Sequence, residues 1–321
     1  MARQTYEAWL PEEKDSNVLG AIRSTSAIES VAKRIPMNSD AKTFPRSGGV
    51  TVDVIPKGTA YGEDVSPNDE VTMVAKKFGR AVRIAEEDID DTVIDLIGQK
   101  KLDWASAYAR HIDNACLGTS AAIGAGVPFT SVYRAVTTAD AFTGYAASDH
   151  LLTSADPGYA DFSALLGLAE GSEYFDEAGL VLIAHPSFKA VLRDMTDDTG
   201  RPLWVQGLAG TPDTIFGYRV RWSVGAKVTA TATSTPPAQT GTIAVPAAAG
   251  TAGNALMIAA NPDFLMLGVR SGPESVVIPG RDGVSALTDE TILKMRARRG
   301  FVPAFPDGFA VLERTSTGAA S

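Results

Sequence analysis

The stretch between residues 86 and 118 constrains the fold most, because its pattern predicts one long α-helix. Proline is absent from it, and apolar residues recur every three or four positions, which is the period of one helix face. The residues of this apolar stripe are Ile89, Val93, Ile97, Trp104, Tyr108, Ile112 and Cys116. Acidic residues cluster at its start, where helix N–H groups favour negative charge, and Gly118 is a typical helix end. At about 1.5 Å per residue such a helix would extend roughly 45–50 Å, either as an ordinary core helix or as a structural spine.

The composition excludes several classes of protein. The 321 residues are enough for about two domain-sized cores, and the net charge of -9 argues against a surface that binds nucleic acid. Cys116 is the one cysteine, so no disulfide can form within the chain and a reducing compartment is expected. The first residues lack a basic region followed by an apolar run, and the longest apolar runs are short, so we expect neither a signal peptide nor a membrane span.

The segment before the long helix has little capacity to form a core. Residues 1–45 predict an extended arm that makes its contacts elsewhere, or a frayed terminus, with one short helix at 26–35 where Ser26 and Glu29 have capping-box spacing. Residues 46–85 predict a long β-hairpin in which the alternating stretch at 50–54 pairs with a second alternating stretch at 74–84. A hairpin with so few large apolar residues buries little by itself, so it should be stabilised by packing on something else.

The second half alternates between helical and strand patterns and predicts an α/β domain. Helices are expected at 161–175 and 186–195, with a buried strand at 180–184 and another at 218–224. Residues 226–255 are almost all small, with a single charge at Lys227, and predict an exposed excursion that is flexible or a weak hairpin.

Strand patterns continue from residue 255 to the C-terminus. Between residues 291 and 301, Lys294, Arg296 and Arg298 fall on one face of a strand because strand side chains alternate. The opposite face carries the apolar residues Leu293, Met295 and Ala297.

No catalytic, cofactor-binding or metal-binding constellation is apparent in the sequence. The histidines His111, His150 and His185 have no partner at ligand spacing, and the turn with Asp194, Asp197 and Asp198 lacks the closing glutamate of a calcium-binding loop. Nucleotide-binding glycine fingerprints and the nucleophile elbow are also missing.

Charged residues in the hairpin and in the late strand are the candidates for contacts between subunits, with a merely solvated surface as the simpler alternative. The candidates are Glu63, Asp64, Lys76, Lys77, Arg80, Arg83, Lys294, Arg296 and Arg298.

Several segments, in this order, resemble the major capsid proteins of tailed bacteriophages of the Hong Kong 97 type. Residues 26–37 (SAIESVAKRIPM) resemble the short helix of that family's N-terminal arm, and residues 61–65 and 78–88 resemble its hairpin tip and the junction to its spine helix. Residues 185–204 resemble its axial-domain helix and the D-x-x-G-R-P-L turn, 216–223 the strand after that turn, and 294–313 its closing strands. Each motif alone is weak, and their order across the chain carries the resemblance.

The resemblance implies an α+β Hong Kong 97-like fold with five parts. These are an N-terminal arm (1–45), an extended hairpin loop (46–85), a peripheral domain with the spine helix (86–159), an axial domain (160–268, with the insertion at 226–255), and return strands of the peripheral domain (269–321). Because the arm-like segment starts almost at Met1, we expect the family's long N-terminal scaffolding segment to be missing. Its lysine–asparagine crosslink is not carried over, because only Lys57 can be matched.

The implied function is structural, without catalytic residues, cofactors or metals. Pentamers and hexamers would form an icosahedral head in the virion, assembled in the host cytoplasm and enclosing double-stranded DNA without sequence-specific binding. A separate scaffold, a portal and decoration proteins are further partners of such a subunit. Two alternatives stay open: a nanocompartment shell protein that holds protein cargo, and a soluble α/β enzyme that uses His185 and the 194–198 turn.

Overall fold

A computed structural model describes residues 25–48, 52–63, 68–91, 95–196, 204, 213–234, 248–279 and 289–315. The helices are α1 (Ala27–Val31), α2 (Glu86–Asp90), α3 (Leu96–Leu117), α4 (Val132–Thr137), α5 (Tyr159–Glu170) and α6 (Phe188–Asp194). The first eight strands are β1 (Lys33–Pro36), β2 (Ala41–Ser47), β3 (Asn68–Val74), β4 (Lys76–Ala85), β5 (Leu151–Ser154), β6 (Val181–Ala184), β7 (Thr214–Ile215) and β8 (Tyr218–Trp222). The last four are β9 (Ala255–Ala260), β10 (Leu265–Ile278), β11 (Glu290–Pro303) and β12 (Phe309–Arg314). No helix in the described part of the chain is long and apolar enough to span a membrane.

The predicted single helix at 86–118 is two helices, so that prediction was wrong in its first third. Helix α2 ends at Asp90, and α3 begins after Asp95, whose carboxylate accepts a 2.8 Å hydrogen bond from the backbone N–H of Gly98. The acidic side chain therefore caps a second helix rather than continuing the first. Helix α3 has 22 residues, about 33 Å, and the apolar side chains of its last two turns are buried beneath the rest of the fold.

A four-stranded sheet lies beside α3, in the order β1-β10-β11-β4. Strand β1 pairs parallel with β10, and the other two pairings are antiparallel. The predicted alternation in β11 is confirmed, because Leu293, Met295 and Ala297 are buried while Lys294 and Arg298 are exposed.

The α/β domain is a six-stranded sheet in the order β5-β12-β9-β6-β8-β7. Helices α5 and α6 contribute Phe162, Leu165 and Phe188 to its core, against Leu182 and Met257 of the sheet. The closing strands divide between the two sheets, since β10 and β11 lie in the four-stranded sheet while β12 pairs with β5 and β9.

The hairpin uses other strands than the sequence predicted. Strands β2 and β3 pair from Ala41↔Val74 to Ser47↔Asn68, whereas β4 pairs with β11. Val52 and Val54 lie outside any strand. The alternating apolar residues of β4 gain more burial against β11 and α3 than they could against a thin hairpin partner, which explains the difference.

The N-terminal segment also departs from the prediction, because residues 25–48 pack on the chain's own body. Helix α1 ends at Val31, earlier than predicted, and β1 follows it in the sheet. Ile28 is fully buried against α3. Residues 1–24 lie outside the described residues.

The beginning of the small-residue segment is buried rather than exposed, so the predicted excursion at 226–255 is wrong there. Ala226 and Val228 are fully buried, and Thr229 bridges to Thr119 at the end of α3. Residues 235–247 fall outside the described part.

Candidate assembly surfaces

A buried carboxylate on α3 anchors the N-terminal segment. Asp113 is 1% exposed and accepts hydrogen bonds from the backbone N–H groups of Ala27 and Ile28 at 2.9 and 3.2 Å. The hydroxyls of Ser26 and Ser223 donate to the same carboxylate at 2.5 Å. Burial raises the pKa of the Asp113 carboxyl, and these hydrogen bonds lower it. The carboxylate thus satisfies N–H groups at the start of α1 that have no partner within the helix.

A second buried contact holds the same helix from its other side. The guanidinium Nε of Arg299 and the hydroxyl of Tyr108 donate to the carboxylate of Glu29 at 2.9 and 3.0 Å. Arg299 is 5% exposed, so this ion pair is shielded from solvent. Burial and the neighbouring Glu29 carboxylate raise the pKa of Tyr108, which keeps its hydroxyl a donor.

The β2–β3 hairpin is tied to the body by Arg46. Its guanidinium donates to Asp140 at 2.7 Å and to the carbonyl of Ala304 at 3.2 Å, and it also pairs with Asp69 across the hairpin. The hydrogen bond from Arg46 lowers the pKa of Asp69. The same guanidinium lies 4.8 Å from the ring centre of Phe142. One side chain therefore joins the hairpin to the adjoining loops by charge and by stacking.

The base of the hairpin rests on two glycines. Gly268 and Gly300 are direct partners in the β10–β11 ladder, and a Cβ on Gly268 would lie 2.3 Å from the sulfur of Met37 and 2.4 Å from that of Met73. Both methionines are buried there. The flexible thioether side chains of Met37 and Met73 therefore pack directly on the backbone of β10 and β11, where the glycines leave room for them.

The loop beyond the hairpin strands carries apolar residues that nothing in the described chain covers. Val52, Val54 and Tyr61 are 94%, 98% and 85% exposed. Glu63 is exposed at the end of this stretch, and Asp64 lies outside the described residues. Such exposure of large apolar side chains is typical of surfaces that are buried on association.

The ladder between β4 and β11 brings several of the predicted cations together. Arg298 lies opposite Lys77, and Ile292 lies opposite Arg83. Paired residues point to the same face of a sheet, so Lys77, Arg83, Lys294, Arg296 and Arg298 form one basic face. Lys76 and Arg80 belong to the other face, because their partners are Arg299 and Met295.

Sequence reasoning missed the residues that balance and anchor these charges. Glu274 accepts two 3.0 Å hydrogen bonds from Arg296, and these lower the pKa of its carboxyl. Arg46 gave no signal of its own, and Glu29 gave only its capping-box spacing to Ser26, which does not indicate the contact with Arg299. Asp113 did give one, as a charge inside the apolar stripe of α3.

His185, the histidine of the enzyme alternative, lies within a local turn. His185 Nδ1 lies 2.9 Å from the Ser187 hydroxyl and accepts from the Ser187 backbone N–H at 3.2 Å, which makes it part of a local turn. Burial and the charge of Lys227 lower the pKa of His185 to about 4, which makes it a weak base at neutral pH. Among the described residues, no three His, Cys, Asp or Glu side chains are grouped as metal ligands.

A long helix beside the four-stranded sheet, an anchored hairpin and an uncovered loop are the features expected of a structural shell subunit. A family model described as "Phage capsid family" matches residues 8–257, and the chain belongs to that family. No curated protein matches the sequence significantly.

Solved structures share the fold at low sequence identity. "Microbacterium phage Oxtober96" is 16% identical with a TM-score of 0.66, covering 97% of each chain. "Capsid of native GTA particle computed with C5 symmetry" is 17% identical with a TM-score of 0.69, covering 96% of each chain. "Mycobacterium phage Adephagia" is 14% identical with a TM-score of 0.66 and is covered fully in both directions. The predicted Hong Kong 97-like α+β fold is confirmed.

The protein is thus a structural major capsid protein, a component of the virion that forms capsid oligomers. The family match favours this function over a nanocompartment shell.

Proposed function

We propose that this chain assembles as pentamers and hexamers into an icosahedral head that encloses double-stranded DNA, built in the host cytoplasm, and that it performs no catalysis. The observation that carries the proposal is the projecting loop, whose Val52, Val54 and Tyr61 are almost fully exposed in the single chain. Burying them against neighbouring copies removes apolar surface from water, at roughly 25 cal/mol per Å². We also propose a five-part division near residues 45, 85, 159 and 268, except that β12 belongs with the six-stranded sheet of the axial domain.

The charged candidates divide into complementary groups in this proposal. The basic face of β4 and β11, the residues Lys76 and Arg80 on the other face, and the acidic residues Glu63 and Asp64 would each contact neighbouring subunits. Complementary charge at an interface mainly sets its register and its association rate. The overall charge of -9 suits a container for DNA, because like charges limit the adhesion of DNA to the protein.

Electron microscopy of the purified full-length chain tests the proposal, alone and with a co-expressed scaffold protein. We expect closed particles that hold nucleic acid when recovered from infected cells. Compact monomers that persist at high concentration, with and without scaffold, would contradict it. Particles that hold a protein cargo and no genome would favour the nanocompartment function instead.

A further inference from the structure

A cationic groove opens on the basic face of the four-stranded sheet. It encloses about 350 Å³, and its charged lining consists of Lys77, Arg270, Arg296, Arg298 and Glu274. Strand β10 shifts register twice here, between Val269 and Ser271 and again between Ser271 and Glu274. Register shifts of this kind bend a strand and redirect its side chains. Arg270 lies within the first of the two shifts, and its side chain lines the groove together with cations of β4 and β11.

Positive charge in the groove exceeds its internal partners. Glu274 neutralises Arg296, while Asp40 contacts Arg270 and lies 4.0 Å from Arg298. Lys77 has no ion pair among the described residues. Four cations therefore face two carboxylates in a chain whose net charge is -9. This local excess of positive charge attracts an acidic partner.

Helix α2 carries the complementary charge. Its five residues and the following Asp91 carry five carboxylates, none of them in an ion pair within the described chain, and the helix has no buried residue. Glu86, Glu87 and Asp88 suit the first turn, where the helix dipole favours negative charge. Asp90 and Asp91 lie at the C-terminal end, where the dipole disfavours it, so helix formation does not account for them.

The two features lie at opposite ends of one straight strand. Lys77 is near the start of β4, and α2 follows the end of β4 at Ala85. Glu86 lies nine positions after Lys77, and nine steps of extended chain span about 30 Å. The helix therefore cannot fold back into its own groove. Opposite charges at the two ends of a rigid element favour head-to-tail contacts between copies, the type of contact that closes into rings.

We propose that the cationic groove of one copy receives the acidic helix α2 of a neighbouring copy, a contact that rests on the proposed capsid function. Arg298 and Lys77 would pair with Asp90 and Asp91 of the neighbour. Because these charges are solvated in the separate subunits, the contact forms reversibly and weakens as salt rises.

Charge reversal on both sides of the contact tests the proposal. The groove variant is Lys77→Glu with Arg298→Glu, and the helix variant is Asp90→Lys with Asp91→Lys, which also improves the interaction with the helix dipole. Each variant should lower subunit association at least tenfold in sedimentation velocity and particle yield, with unchanged far-UV circular dichroism. The four substitutions in one chain should restore both to within about threefold of wild type.

Two further variants separate the alternatives. Glu173→Lys with Glu177→Lys reverses two exposed carboxylates elsewhere and should leave association unchanged. Glu63→Lys combined with the groove variant should not restore association. If it did restore association, the groove would bind the hairpin loop of a neighbouring copy instead of helix α2, and the proposal would be overturned. If the wild-type subunits associate and the groove and helix variants associate equally well, only this inference is overturned. Wild-type subunits that never associate would overturn the proposed function with it.

Discussion

Replacing Gly118 by alanine should destabilise the subunit because a backbone carbonyl occupies the place of the new methyl group. A Cβ there would lie 1.9 Å from the carbonyl oxygen of Lys227 and 2.7 Å from its carbon. The glycine has a φ of −122°, which alanine adopts readily, so the conflict is one of space and not of backbone conformation.

The segment that must move is fixed by several hydrogen bonds. Asn114 Nδ2 donates to the Lys227 carbonyl at 3.1 Å, Thr229 N–H donates to the Gly118 carbonyl at 3.0 Å, and Ser120 N–H donates to the Thr229 carbonyl at 2.8 Å. Restoring ordinary contact requires a displacement of about 1.5 Å, which is enough to break two or three of these buried bonds. At about 1–1.5 kcal/mol each, the broken bonds cost about 2–4.5 kcal/mol. The less flexible unfolded chain of the alanine variant offsets about 0.5–1 kcal/mol of this. The net loss of unfolding free energy is therefore about 2.5 kcal/mol, within a range of about 1–4 kcal/mol.

Urea unfolding of unassembled subunits, followed by circular dichroism, measures this loss. Gly167→Ala is the matched control, because Gly167 is exposed within α5 and nothing lies within 4 Å of its Cβ position. The control should stabilise the subunit by up to about 1 kcal/mol. If Gly118→Ala proved as stable as Gly167→Ala, the close approach of the 226–229 segment to the end of α3 would be refuted.

Two other perturbations give expectations of definite sign. The pKa of His185 is lowered from 6.5 to about 4 in the folded chain. As the pH falls below 6.5, His185 is therefore protonated in the unfolded chain but stays neutral in the folded chain. The free energy of unfolding decreases over this range, down to about pH 4. This amounts to about 2 kcal/mol between pH 7 and pH 5, and His185→Gln should remove it from the difference between urea midpoints at the two pH values. Arg46→Lys should lower the free energy of unfolding by about 1–2 kcal/mol and increase protease cleavage in the hairpin. The reason is that a lysine ammonium cannot pair with Asp69 and Asp140 at once while lying against the ring of Phe142. Equal protease cleavage of Arg46→Lys and wild type would contradict the role of Arg46 in holding the hairpin to the rest of the chain.

The candidate surfaces were only partly predictable from the sequence. The period of two in β11 placed Lys294, Arg296 and Arg298 on one face, and the structure keeps them there. Arg270 was missed because the irregular register of β10 has no signature in the sequence. Asp40 was missed because its relation to Arg270 joins residues 230 positions apart.

The sequence by itself determined the features that depend on neighbouring residues, namely the helical stripe of α3 and the alternation of β11. Tertiary structure alone decided which strand β4 would join and whether the N-terminal segment would leave the body. Those outcomes depend on burial shared by distant residues, such as Asp113 with Ala27 or Phe78 with Phe129, and local periodicity carries no information about such pairs.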